Sequence, residues 1–313
     1  MKDLKNFIST HADDINNNNW EKIYQDTQNL ASFQVGELTS IFYKADINPL
    51  LYLNTVPMYY LYHSSIDSLV IPDSVTSIGY NAFYGCNNLT SIEIPNSVKI
   101  IGGSAFDGCN SLTSITIGNS VTSIEEYAFS DCKSLTNITI PNSVSSIGDR
   151  AFSGCSGLTS ITIPDSITSI GSSAFSDCSS LTSIEIPDSV TNIRNGVFAG
   201  CSSLISIDIP NKITSIGSRM FSNCTNLTNI TIPDNVTNIR DYAFFYCTNL
   251  TNIKIPNSVT SIGSHVFYKC IKLSEIFFDG TKNQWENIKK DERWNRESGL
   301  KKITCIDGEV NLS

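Results

Sequence analysis

Nine of the ten cysteines recur every 23 residues, at Cys86, Cys109, Cys132, Cys155, Cys178, Cys201, Cys224, Cys247 and Cys270, and only Cys305 stands apart. A row of thiols invites a metal or disulfide reading. Zinc, however, needs four ligands converging on a point, whereas side chains repeated at a constant interval lie parallel along a line. Parallel Cβ vectors likewise oppose the roughly 90° S–S torsion of a disulfide. The expected role is therefore a small buried hydrophobe. The histidines, His11, His63 and His265, stand at no metal or nucleophile spacing. No G-x-S-x-G, H-E-x-x-H or P-loop pattern occurs, and the carboxylates are scattered rather than paired as a hydrolytic dyad. These residues imply no catalytic, metal or cofactor site, and the expectation is that the protein is not an enzyme.

Composition narrows the partners. Of 313 residues, 40% are hydrophobic and 16% charged, enough to bury a core. The net charge of −9 provides no basic field to collect nucleic acid. Met1 to Asn19 has no apolar run longer than Phe7 and Ile8, so no secretory signal is visible. No stretch approaches the roughly 18 to 20 apolar residues of a membrane span. A cytoplasmic location as written is expected, with virion association or non-classical export as other routes.

The cysteine interval belongs to a repeat of the whole backbone. Copies begin at Ile66, Leu89, Leu112, Leu135, Leu158, Leu181, Leu204, Leu227 and Leu250, and Leu273 opens a partial tenth. A period in the twenties with an LxxIxI signature is the mark of a leucine-rich-repeat solenoid, in which each copy supplies one rung. In the second copy, Ile92 and Ile94 face inward while Ser91 and Glu93 face solvent. Pro95 ends that strand. Val98 and Ile101 form a shorter inward segment round a corner, and Ala105, Phe106 and Cys109 are spaced at about one helical turn. The expected fold is an α/β-class solenoid with a short parallel strand, a corner and about one helical turn per rung. No rung buries enough to fold alone, so neighbours must share burial and both ends need covering.

The consensus, as carried by Leu89, Thr90, Ser91, Ile92, Ile94, Pro95, Ser97, Val98, Ile101, Gly102, Ala105, Phe106 and Cys109, resembles the BspA-type leucine-rich repeat. The likeness covers residues 66 to about 290. The closing Phe277, Phe278, Asp279, Gly280, Gln284 and Trp285 are similar to the end of bacterial arrays of that family. The resemblance implies a bacterial or phage source and a role in adhesion or partner recognition, with no catalytic residues to carry over. Two departures stand out. The Gly after the second Ile becomes Glu125, Arg194 and Arg240, so that position does not demand a left-handed backbone, and Gly118 replaces Pro, marking residues 118 to 126 as a possible bend.

Residues 1–60 lie outside the repeat and suggest a small helical segment. Asp3 to Ile15, Trp20 to Ala31 and Gly36 to Ala45 are its candidates, with a fourth over Leu50 to Leu61 interrupted by Pro57. It either caps the solenoid or docks it elsewhere. Residues 61–278 form the solenoid. Residues 279–313 read as a C-terminal cap with a short helix over Gln284 to Lys290 whose Trp285 and Ile288 cover the last rung.

What remains is surface. The outward row of the main strand runs through Glu93, Thr116, Thr139, Thr162, Glu185, Asp208, Thr231 and Lys254, a hydroxyl-rich face open to a protein or glycan. A second candidate is an aromatic patch of Tyr242, Phe245, Tyr246 and Tyr268. The expected function is non-catalytic recognition or scaffolding of a protein or glycan partner, the alternative a phage or envelope assembly component docked through its N-terminal segment.

Overall fold

The structure, a computed structural model, describes residues 55–56 and 66–312. The helices expected over Asp3 to Ile15, Trp20 to Ala31 and Gly36 to Ala45 lie outside these. Two rows of parallel strand run along the solenoid. The corner row stacks Ser77–Ile78, Ile100–Ile101, Ser123–Ile124, Ser146–Ile147, Ser169–Ile170 and Asn192–Ile193 in one seven-stranded sheet, headed by Thr55–Val56. A strand therefore stands where a fourth helix was expected. Ser215–Ile216, Asn238–Ile239, Ser261–Ile262 and Lys289–Lys290 continue the row as a separate four-stranded sheet. The main-strand row pairs Ser91–Ile94 with Ser114–Ile117, passes through single bridges such as Thr139 with Thr162, and ends in Asn252–Ile255, Glu275–Phe278, Lys302–Cys305 and the antiparallel Gly308–Asn311. Alternation decides which side faces in: each four-residue strand SIEI, SITI and NIKI has its two isoleucines buried and the residues between them exposed.

The third side of each rung is not a helical turn. Among the described residues the only α-helix is Lys282–Asn287, so the solenoid is built from strands and turns. Hydrogen bonding explains the difference. In the first copy Ala82, Tyr84 and Cys86 N–H bond back to Gly79, Asn81 and Phe83 carbonyls within the turn. The alternate N–H groups of Asn81, Phe83 and Gly85 instead donate to Gly103, Ala105 and Asp107 of the next rung. A helix would keep all of these bonds to itself; here half of them stitch rungs together.

That geometry requires two left-handed residues per rung. One position is filled by Asn81, Ser104, Tyr127, Arg150, Ser173, Gly196, Arg219, Tyr242 and His265, the other by Gly85, Gly108, Asp131, Gly154, Asp177, Gly200, Asn223, Tyr246 and Lys269, all at positive φ. The Gly after the second Ile has another reason: a Cβ on Gly148 or Gly171 would lie 2.6 or 2.5 Å from backbone of the preceding rung. Around 118–126 both rows weaken among the described residues: no bridge joins Thr116 to Thr139, and the corner row continues through Ser123–Ile124 but pairs onward through Ile124 with Ile147 alone.

The core lies between these walls. Phe83, Phe106, Phe129, Phe152, Phe175, Phe198, Phe221, Phe244 and Phe267 stack ring on ring at 4.9 to 6.0 Å between centroids. All ten cysteines are buried and free. Each repeat thiol from Cys109 to Cys270 donates to the Phe carbonyl of the rung before it, at 3.0 to 3.2 Å. Burial pushes the Cys155 and Cys201 thiols up to about 12. These are inert groups that pack and weakly donate.

Beyond the last full repeat, both rows run on. Helix Lys282–Asn287 starts at a capping box, with the Thr281 hydroxyl accepting from Gln284 N–H and the Gln284 side chain accepting from Thr281 N–H. It is shorter and earlier than the segment Gln284 to Lys290 expected, because Lys289–Lys290 peel off to pair with Ser261–Ile262. Trp285 is buried and meets Phe278 and Trp294 edge to face at 5.3 and 5.8 Å.

Candidate functional site

The residues proposed for the strand face are placed as expected in exposure. Glu93, Thr116, Thr139, Thr162, Glu185, Asp208, Thr231 and Lys254 are all exposed, one per rung. They do not form one continuous ladder. Bridges join Thr139 to Thr162 to Glu185 and Asp208 to Thr231 to Lys254, but among the described residues none joins Thr116 to Thr139 or Glu185 to Asp208. Lys254 is drawn to Asp279, Nζ to Oδ2 2.7 Å.

The aromatic residues do come together. Phe245 stacks on Tyr268 at 5.1 Å and contacts Tyr246 at 4.7 Å, while Tyr242 meets the Phe245 edge at 5.5 Å. Sequence reading missed His265, whose ring lies parallel to Tyr242 at 5.3 Å, and Arg219, whose guanidinium sits 5.1 Å from the Tyr242 centroid. The signal was available, since positions 219, 242 and 265 share one register. Tyr242 and Tyr246 each occupy a left-handed position, φ 60° and 59°. A bulky residue there carries backbone strain. The C-terminal segment reaches the rim of this patch: Lys269 pairs with Glu297 at 2.7 Å, which holds the Glu297 carboxyl below the usual range.

Shallow grooves open along the corner row, which the sequence reading treated only as structure. One, of about 390 Å³, is lined by residues including Glu125, Asp149, Asn192 and Arg194. The next, of about 440 Å³, shares Asn192 and Arg194 and adds Asn195, Ser215 and Arg240. A third, of about 480 Å³, shares Ser172 and Asn195 with the second and ends at Arg219, Asp241 and Tyr242. Among the described residues no three His, Cys, Asp or Glu side chains gather as a metal site, and no helix is long and apolar enough to cross a membrane.

Comparison with known families decides the identity of this architecture. The model of the BspA type leucine rich repeat region, in 6 copies, matches residues 54–182 and 168–290. The chain is a BspA-type leucine-rich repeat protein. The BspA-type assignment agrees with solved structures. A leucine-rich repeat protein from Bacteroides ovatus is 36% identical with a TM-score of 0.66 over 74% of this chain and 59% of that one. A leucine-rich repeat protein of T. pallidum is 34% identical, TM-score 0.50, over 55% of this chain and 81% of that one. The pneumococcal vaccine antigen PcpA, at 21% identity and TM-score 0.52, shares the fold. The chain thus spans 59% of the length of the B. ovatus protein. Comparison with curated proteins gives no significant match. Leucine-rich repeat proteins of this kind are in general protein-interaction or surface scaffolds.

Proposed function

We propose that this BspA-type protein is a non-catalytic recognition scaffold that holds a rigid solenoid surface toward a protein or glycan partner. The supporting observation is the row from Glu93 to Lys254: eight exposed side chains, one per rung, fixed to a backbone whose opposite side is buried. Rungs spaced about 4.8 Å apart present those groups at set intervals with little ordering cost on binding. Family membership supports the same reading, because such solenoids offer one extended surface rather than a closed cleft.

An array of matrix proteins with acidic and neutral glycans, probed with the full chain, tests it. Discrete binders are expected, and Thr139→Lys with Thr162→Lys should weaken contacts made through the strand row at an unchanged melting temperature. An array without any binder above background would overturn the recognition reading.

A further inference from the structure

The two strand rows lapse together at one place. Between repeats six and seven, among the described residues, the main row lacks a bridge from Glu185 to Asp208 and the corner row separates Asn192–Ile193 from Ser215–Ile216. Among the described residues it is the one junction where both rows are interrupted. At most junctions the corner is bonded rung to rung, as by Gly171 N–H to the Ile147 carbonyl at 2.9 Å and Arg240 N–H to the Ile216 carbonyl at 3.0 Å; among the described residues the matching bond is lacking from Gly217 N–H to the Ile193 carbonyl and, at the third repeat, from Glu125 N–H to the Ile101 carbonyl. Backbones also stand further apart here: a Cβ on Gly217 would have 3.1 Å to its nearest neighbour, against 2.5 Å at Gly171 and 2.6 Å at Gly148. Ile193 is 8% exposed where Ile170 and Ile216 are wholly buried.

The local sequence also differs at this junction. Ala82, Ala105, Ala128, Ala151, Ala174 and Ala243 occupy one core position, where repeats six, seven and nine place Val197, Met220 and Val266, so that only at this junction do two larger side chains fall in consecutive rungs. The Phe175–Phe198 and Phe198–Phe221 ring spacings widen to 6.0 and 5.8 Å beside these larger side chains, while the turns stay bonded across the junction, as by Phe198 N–H to the Met220 carbonyl at 3.0 Å. Glu185 and Asp208 add like charges side by side.

Three consecutive rungs then place Arg194, Gly217 and Arg240 in one register. Two guanidinium side chains, anchored two rungs or roughly 10 Å apart, flank a residue without a side chain, and both line the 440 Å³ groove. Arg240 makes no ion pair or side-chain hydrogen bond among the described residues, and Arg194 pairs only with Asp149 at 3.7 Å, both exposed. Such an exposed pair is weak and readily exchanged. The Ser215 hydroxyl, on the groove wall, is a buried oxygen without a partner. The adjoining groove brings Arg219. Four acids line the grooves with these cations: Asp149 and Asp241 are held by Ser172 and Ser264 N–H groups at 2.7 and 2.8 Å, and Glu125, which accepts from the Ser123 hydroxyl at 2.7 Å, and Glu126 line the neighbouring groove that Arg194 shares.

We propose that the opened junction between Arg194 and Arg240 is a binding site for the carboxylates of an acidic glycan, a uronic-acid oligosaccharide. The proposal rests on the recognition reading and assigns it a ligand class. Guanidinium groups match carboxylates through paired N–H donors. Serine and asparagine side chains around them suit a polyhydroxylated chain, and a stiff saccharide loses little freedom in a shallow groove. A peptide partner would need apolar anchor pockets, whereas the apolar side chains lining this groove are Ile193 and Ile213, both buried.

Calorimetry with hexagalacturonate, its fully methyl-esterified form and a hexaglutamate peptide tests the site on the full chain. Binding of hexagalacturonate that weakens with salt is expected, with no binding of the ester and weaker binding of the peptide. Arg194→Gln with Arg240→Gln should weaken it at least tenfold at an unchanged melting temperature. Gly217→Glu, which seats a carboxylate between the two arginines, should do the same, whereas Thr139→Lys with Thr162→Lys should not. No binding of hexagalacturonate, equal binding of the ester, tighter binding of the peptide, or full affinity in the arginine variant would each overturn the proposal. Any of these beside a positive array leaves the recognition reading standing; an empty array removes that reading itself.

Discussion

The turn side and the strand sides of this solenoid follow different rules. Along the turns, nine phenylalanines stack without a gap, and the carbonyls of eight of them, Phe83 to Phe244, accept from the thiol of the following rung. Along the strands, among the described residues, pairing lapses twice in the main row and once at the corner. The chain tolerates those lapses because continuity is carried by the turns, where alternate N–H groups bond between rungs. The strand sides thereby tolerate departures such as Arg194, Arg240 and Ile205, as the turns tolerate Val197 and Met220.

Removing a ring from the turn side should be the most damaging change. Phe152→Ala leaves a ring-sized hole between Phe129 and Phe175, its stacked neighbours at 5.4 and 5.5 Å. A loss of about 3 to 5 kcal/mol in denaturant unfolding is expected. A loss below about 1 kcal/mol would show that the strands, not the turns, hold the stack.

The strand side should respond in the opposite direction. Thr113, Thr159, Thr228 and Thr251 each donate a side-chain hydroxyl to the carbonyl one rung back, at 3.0 to 3.4 Å. Repeat seven has Ile205 in that register, 53% exposed, beside the opened junction. Ile205→Thr supplies the missing donor for the Thr182 carbonyl and should stabilise the protein by about 1 kcal/mol. If the melting temperature falls instead, the lost hydroxyl is not what loosens that junction.

Much of this was legible in the sequence, and the illegible parts have identifiable causes. Ile92 with Ile94, and Ile101 with Phe106, announce the inward faces because a period of 23 repeats each of them nine times over. The turn was misread as helical because Ala105, Phe106 and Cys109 have helix-like spacing, while of the two left-handed positions that forbid a helix one is held by Asn81, Ser104, Tyr127 and Arg150 and the other mixes Gly85, Gly108 and Gly154 with Asp131. Their conformation is imposed by bonds to the next rung, which no local pattern encodes. Arg194 and Arg240 were seen only as departures from glycine. Their meaning depends on Gly217 between them and on the parted backbones at Ile193 and Ile216, a property of three stacked rungs.

The smallest effect separates the two sides by pH. Asp107 lies on the turn side, half-buried, and desolvation, then the nearby Asp131 carboxylate, pushes its carboxyl from 3.8 up to about 6, against a lowering hydrogen bond with Ser130. A raised carboxyl favours folding when protonated, so its contribution is full below about pH 4 and is lost as pH rises through about 6. On the strand side the sign reverses: the Thr304 hydroxyl, then Lys302, hold the Glu275 carboxyl low, a contribution lost as pH falls. Asp107→Asn should therefore gain stability relative to wild type at pH 7, and the gain should vanish at pH 4. Solvent screening of a half-exposed group keeps it well under about 1 kcal/mol, so the pH dependence of the difference is the informative quantity. Equal unfolding midpoints for the two proteins at pH 4 and a higher one for the variant at pH 7 are expected from paired denaturant titrations. A difference independent of pH would mean that Asp107 acts through packing, and that the turn side of the stack carries no electrostatic strain.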